Sequence, residues 1–161
     1  MLSLHRMILR WNMEDVGQPV TDRKPIHIYI MSPGGHLEYM WMLIDAIRAS
    51  VTPVYTINTG VAASAAALIF ISGHKRFMMK NATTLFHEGS ASMQGDAVKI
   101  MDASDNYRKA LDRMKKYIID NTRITPKQLG KRLHNDWELD AEQCLEAGVC
   151  DALVSILDEV I

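Results

Sequence analysis

Cysteine is nearly missing from this chain. Only two occur in 161 residues, Cys144 and Cys150. Their spacing matches no common zinc or redox motif, so they read as free thiols in small apolar positions. An excess of charge of one sign is missing as well. Eighteen Lys and Arg stand against 19 Asp and Glu, for a net charge of −1. That excludes the basic excess that nucleic-acid binding demands. No continuous apolar run is long enough to span a bilayer. The opening residues, Met1 to Arg6, hold neither a signal peptide's apolar stretch nor a small-residue cleavage site. A cytoplasmic protein is expected. With no internal repeat, no low-complexity tract and no composition shift, residues 1–161 are expected to form one domain.

What is present points to a globular fold. Hydrophobic residues make up 48% of the chain, enough for a substantial core at this length. The 11 methionines mostly fall at apolar positions and read as filling for the core or for subunit contacts. A Met-lined surface that adapts to varied apolar partners is the sharper alternative.

Hydrophobic periodicity lays out the elements. Leu4, Met7, Ile8 and Trp11 recur at helical spacing over the first dozen residues. Glu14 to Lys24 reads as a loop. Pro25 to Met31 is β-branched and aromatic, hence a strand, and His36 to Ala49 a helix. Val54 to Ile57 is a second strand. Ala62 to Ile71 predicts an apolar, buried helix. Arg76 to Met79 and Thr83 to Phe86 are short strands, and Gly89 to Gly95 is a flexible polar segment. Asp96 to about Asn121 is a long helix, long enough to project and pair with another subunit. Thr125-Pro126-Lys127-Gln128 carries an N-cap, an N1 proline and a capping-box glutamine. Asp140 starts the next helix, Gly148 stops it, and Val149 to Ile156 is a last strand. The alternation implies an α/β fold with a largely parallel sheet.

Two segments carry the chemistry. Ser32-Pro33-Gly34-Gly35 follows a strand, and its paired glycines allow a tight turn with N–H groups aimed at a ligand. Gly60 to Ala67 sets a single hydroxyl, Ser64, among residues too small to obstruct it, at the start of a helix whose first N–H groups are unpaired. Amide donors beside a serine suggest an oxyanion site with a nucleophile. Ser64 then needs a base, and six histidines compete. His5 lies in the first helix, His27 inside a strand, His36 after the glycines, His74 in a basic turn that reads as solvated, and His134 at the end of a charged helix. His87 stands where a strand gives way to a glycine-containing loop, the edge where functional loops gather in α/β sheets. Base and satisfied strand-end histidine are equal readings for it. A carboxylate must orient the base. Asp136, between two helices, is a candidate; Asp140 reads as a helix cap, and Asp102 and Asp105 as solvated.

These segments in this order resemble the ClpP family of serine peptidases. Ser32 to Gly35 is similar to the family's Ser-Pro-Gly-Gly element, and Gly60 to Ser64 to its Gly-x-Ala-Ala-Ser nucleophile segment. Ala141 to Asp151 resembles its ending, and the likeness runs from about Met7 to Ile156. The resemblance implies a ClpP/crotonase-like α/β fold of repeated β-β-α units, with a mainly parallel sheet and a projecting handle helix. It implies Ser64 as nucleophile, His87 as base and Asp136 as orienting carboxylate. The N–H groups of Gly35 and Ala65 would form the oxyanion hole, and Gly34, Gly35 and Ser90 would bind extended polypeptide. No metal or organic cofactor is implied. The implied assembly is a homo-oligomer of two stacked heptameric rings served by an AAA+ unfoldase ATPase.

The chain departs from the family pattern in places. Where the family has His-Gln-Pro, this chain has His87-Glu88-Gly89, which loosens the loop and adds a charge beside the base. The family's N-terminal axial loop and first strand, which contact the ATPase, are expected to be absent. A non-catalytic ring or assembly subunit is therefore the alternative to an endopeptidase, and an acyl-CoA enzyme of the crotonase type is a third reading.

Overall fold

The hydrophobic pattern decides which way each element faces. The structure, a computed structural model, describes residues 2–156. Helix α1 (Leu2–Glu14) leads through a short 3-10 turn (Val20–Asp22) into strand β1 (Ile26–Ser32). In β1, Ile26, Ile28 and Ile30 are buried while Tyr29 and Met31 are exposed, the period-two signature of a strand with one face on the core. Helix α2 (Leu37–Ala49) buries Met40, Leu43, Ile44 and Ile47, a stripe at helical spacing. Strand β2 (Val54–Ala63) and helix α3 (Ala65–Phe70) follow, and every residue of α3 is buried.

Next come β3 (Lys75–Met79), β4 (Thr83–Phe86), α4 (Ala97–Asn121), α5 (Pro126–Arg132), β5 (Trp137–Leu139), α6 (Ala141–Glu146) and β6 (Ala152–Val154). The expected capping boxes form at Thr125 with Gln128 and at Asp140 with Gln143. The expected long helix is α4; it buries only Met114 and Ile118, and Val98 and Met101 near its start are exposed. Among the described residues no helix is long and apolar enough to cross a membrane.

Strand β2 is the trunk of the sheet. It pairs in parallel with β1, with β3 along Tyr55–Asn58, and with β4 along Val61–Ala63. Asn58 lies where the pairing passes from β3 to β4. It is fully buried, and its amide donates to Thr83 O at 2.9 Å and Thr84 Oγ1 at 3.3 Å, while its Oδ1 accepts from Gly60 N at 3.1 Å. The buried amide thus has its partners, as burial requires. Strand β6 extends the sheet in parallel beyond β3, and β5 pairs antiparallel with β4.

His74 is exposed, as expected, and is also pinned to the start of β2. Its backbone N–H donates to Val54 O at 2.8 Å, and its Nδ1 accepts from Val54 N at 2.9 Å. The accepting Nδ1 requires the neutral ring. Burial, and then the nearby Arg48 charge, hold its pKa below the usual 6.5. The unfolded chain therefore binds this proton more readily than the folded one, and stability falls as pH drops below about 6.5. The melting temperature is expected to fall between about pH 7.5 and about pH 5.5. The fall should be smaller in His74→Asn, whose amide oxygen accepts the same bond without titrating. Equal slopes for the two proteins would contradict this account.

Candidate active site

Ser64 sits at the junction of β2 and α3. The alanine run predicts a helix from Ala62, but the structure keeps Gly60 to Ala63 in the strand. Ala62 pairs with Ser32 on one side, and Val61 to Ala63 pair with Thr83 to Leu85 on the other. Two flanking strands override the helix preference of alanine. The chain then turns sharply at Ser64, with φ 56° and ψ −123°. Among the described residues it is the only non-glycine at positive φ, a conformation that costs about 1–3 kcal/mol. The strain is held from both sides: Ser64 N donates to Leu85 O at 2.8 Å, and Ser64 O accepts from Ala67 N at 3.0 Å. Its side chain makes no capping hydrogen bond, which leaves the hydroxyl available.

The glycine turn closes against this elbow. A Cβ on Gly34 would lie 2.8 Å from both Ala63 O and Ser64 Cβ, and Gly34 has φ +113°. Only glycine meets both demands. Gly35, Ser64, His87 and Ser90 line one pocket of about 230 Å³, with Leu37 and Met114 supplying apolar wall. Ala65 is the first residue of α3 and is fully buried.

Asp136 reaches His87 through a strand that the sequence does not announce. The segment expected to be a plain connection between helices contains β5, paired antiparallel with β4 in a register that sets Phe86 opposite Trp137. One step beyond that pair, His87 Nδ1 and Asp136 Oδ1 stand 3.4 Å apart, with the two side chains 32% and 73% exposed. Antiparallel pairing makes such neighbours inevitable once the register is set.

Comparison with known proteins gives the family. The family model described as Clp protease matches residues 18–156. The chain belongs to the Clp protease family. It is 33% identical over 133 residues to the ATP-dependent Clp protease proteolytic subunit 2 of Treponema pallidum, covering 81% of this chain and 67% of that one. The subunit of the same name from Pseudomonas aeruginosa is also 33% identical, over 81% of this chain and 66% of its own. The chain thus spans about two thirds of the length of these Clp protease relatives. A ClpP1 mutant from Listeria monocytogenes superposes with a TM-score of 0.77 at 21% identity, covering 96% of this chain and 87% of that one. That likeness shows the Clp protease fold.

One feature of this Clp protease chain escapes sequence reasoning. Glu88, expected to place a charge beside His87, turns to other partners: Lys115 Nζ at 2.6 Å and His134 Nδ1 at 3.2 Å. The hydrogen bond from Lys115 holds its carboxyl below the usual 4.5 despite partial burial. Lys115 and His134 lie far away in sequence and belong to no motif, so no local signal marks them. The cysteines are buried as expected, and burial pushes Cys144 up to about 12 and Cys150 up to about 11. Neither offers a thiolate near neutral pH.

Proposed function

We propose that this chain is a serine endopeptidase of the Clp protease type, with Ser64, His87 and Asp136 as its triad. One observation carries the reading: a serine held in a strained turn shares a pocket with a histidine whose Nδ1 faces a carboxylate. Asp136 fixes the tautomer with the proton on His87 Nδ1 and leaves Nε2 to act as base. Nε2 takes the Ser64 proton as Oγ bonds to the peptide carbonyl carbon, and the N–H groups of Gly35 and Ala65 hold the oxyanion. His87 passes the proton to the amide nitrogen, the C–N bond breaks, and an acyl-enzyme remains. Water then attacks with His87 again as base, releasing the acid and restoring Ser64. Gly34, Gly35 and Ser90 pair with extended polypeptide through main-chain groups, which makes sequence preference broad.

The family supports further proposals: a homo-oligomer of two stacked heptameric rings, an enclosed chamber admitting unfolded chain, a cytoplasmic setting and delivery by an AAA+ ATPase. A fluorophosphonate probe tests the core claim. Purified protein should be labelled, and peptide mapping should place the adduct on Ser64.

A non-catalytic ring subunit is the second reading, favoured by the high exposure of Asp136 and its long 3.4 Å approach to His87. Ring assembly without labelling would establish it. Against it, catalytic contacts are often slack without substrate.

A further inference from the structure

The loop that follows His87 is poorly equipped to hold a base in place. Residues 87–96 form no helix or strand, and Gly89, Ser90, Ala91, Ser92 and Gly95 give it little side chain with which to pack. Small residues of this kind leave a segment free to wander. Yet His87 must keep its place to within a fraction of an ångström to serve as base.

Glu88 supplies the missing restraint. Its two carboxylate oxygens face two different elements: Oε1 meets Lys115 Nζ of α4 at 2.6 Å, and Oε2 meets His134 Nδ1 at 3.2 Å, just ahead of β5. Its backbone carbonyl accepts a hydrogen bond from Tyr107 Oη, also on α4, at 2.8 Å. The Glu88 and Lys115 side chains are only 24% and 32% exposed, so the pair is largely shielded from water and less screened than an open surface pair. The β4–β5 ladder ends at Phe86 and Trp137, and side-chain contacts carry on past it, the last of them one residue out of the ladder's register. Phe86 pairs with Trp137, His87 faces Asp136, and Glu88 meets His134. Glu88 follows His87 directly and His134 lies two residues before Asp136, so this side-chain contact ties together the two segments that carry His87 and Asp136.

We propose that Glu88 is a positioning residue, clamped by Lys115 and His134, that holds His87 over Ser64 and beside Asp136. The proposal rests on the peptidase reading for its catalytic consequence, but not for its structural one. The clamp also bolts α4 to the base loop, so a shift of that helix reaches His87 through Lys115 and Tyr107.

Glu88→Ala, Lys115→Met, the double variant and Lys115→Arg form the test, in the full chain. Three readouts are taken together: the rate of fluorophosphonate labelling at Ser64, the rate at which diethyl pyrocarbonate modifies His87, and the melting temperature. Each single loss should slow Ser64 labelling about ten- to a hundredfold and raise His87 modification several-fold. The melting temperature should change by only a few degrees. The double variant should be no worse than the poorer single one, because one clamp is broken either way. Lys115→Arg keeps a cation within reach of the carboxylate and should retain most of the labelling. Unchanged His87 modification in Glu88→Ala and Lys115→Met overturns the proposal, whatever happens to the melting temperature. Additive losses, or a Lys115→Arg as poor as Lys115→Met, overturn it too. If unmodified protein fails to label while the His87 rates still respond, the peptidase reading falls and the clamp stands.

Discussion

Ser64→Ala is expected to lose peptide cleavage by at least about 10⁴-fold, because removing the proposed triad nucleophile leaves only binding and oxyanion stabilisation to act. The fold should hardly notice. Alanine carries the same Cβ into the φ 56° turn, and the Ser64 hydroxyl makes no capping bond whose loss would cost stability. The two backbone bonds that hold the turn, to Leu85 O and from Ala67 N, do not involve the side chain. The melting temperature should therefore stay within a few degrees of the parent while covalent labelling disappears. A short fluorogenic peptide is the right substrate, since it needs no unfoldase. A variant that cleaves it at the parental rate would show that the activity lies elsewhere.

Gly34→Ala should damage both fold and site. The new Cβ would meet Ala63 O and Ser64 Cβ at 2.8 Å. Ala63 O is backbone, and Ser64 is already in a strained turn, so neither can move cheaply. The φ of +113° adds a penalty that any side chain incurs. Overpacking and backbone strain together come to about 3 kcal/mol, which at this chain length lowers the melting temperature by roughly 6–12 °C. Ser64 must shift to relieve the clash, and a displacement of that size costs about a hundredfold in kcat/KM. Gly17→Ala is the matched control. Gly17 also has positive φ, +89°, but nothing lies within 4 Å of a Cβ there, so only the conformational penalty applies and catalysis should be untouched. If the two variants behave alike, the close approach of Gly34 to the elbow has no catalytic meaning.

Much of the architecture was legible in the sequence because local chemistry and tertiary placement agree there. The stripe Met40, Leu43, Ile44 and Ile47, the apolar α3 and the two capping boxes each say the same thing at both levels. Where the levels disagree, sequence reading fails in a definite way. Ala62 and Ala63 favour helix by themselves and become strand because β1 and β4 hold them. Strand β5 has three residues and exists only through its partner β4, so no periodicity could reveal it. With β5 hidden, the nearness of Asp136 to His87 was open to family resemblance but not to spacing. His74 is exposed, as its basic turn suggests, but no local signal tells that one ring nitrogen accepts from Val54 N at the start of β2. Glu88 reads as a stray charge until its partners on α4 and beside β5 are known.

The strained turn at Ser64 also bears on what lineage drift would do to this chain. Glycine adopts positive φ without the penalty that serine carries. At this position glycine relieves the strain, less the larger entropy it gives the unfolded chain, and it deletes the hydroxyl. A descendant freed from the need to cut peptides would gain by taking it, and would keep the elbow's path with less tension. Serine at this spot stands against that thermodynamic slope, a cost that the proposed nucleophile role would offset and a scaffold role would not.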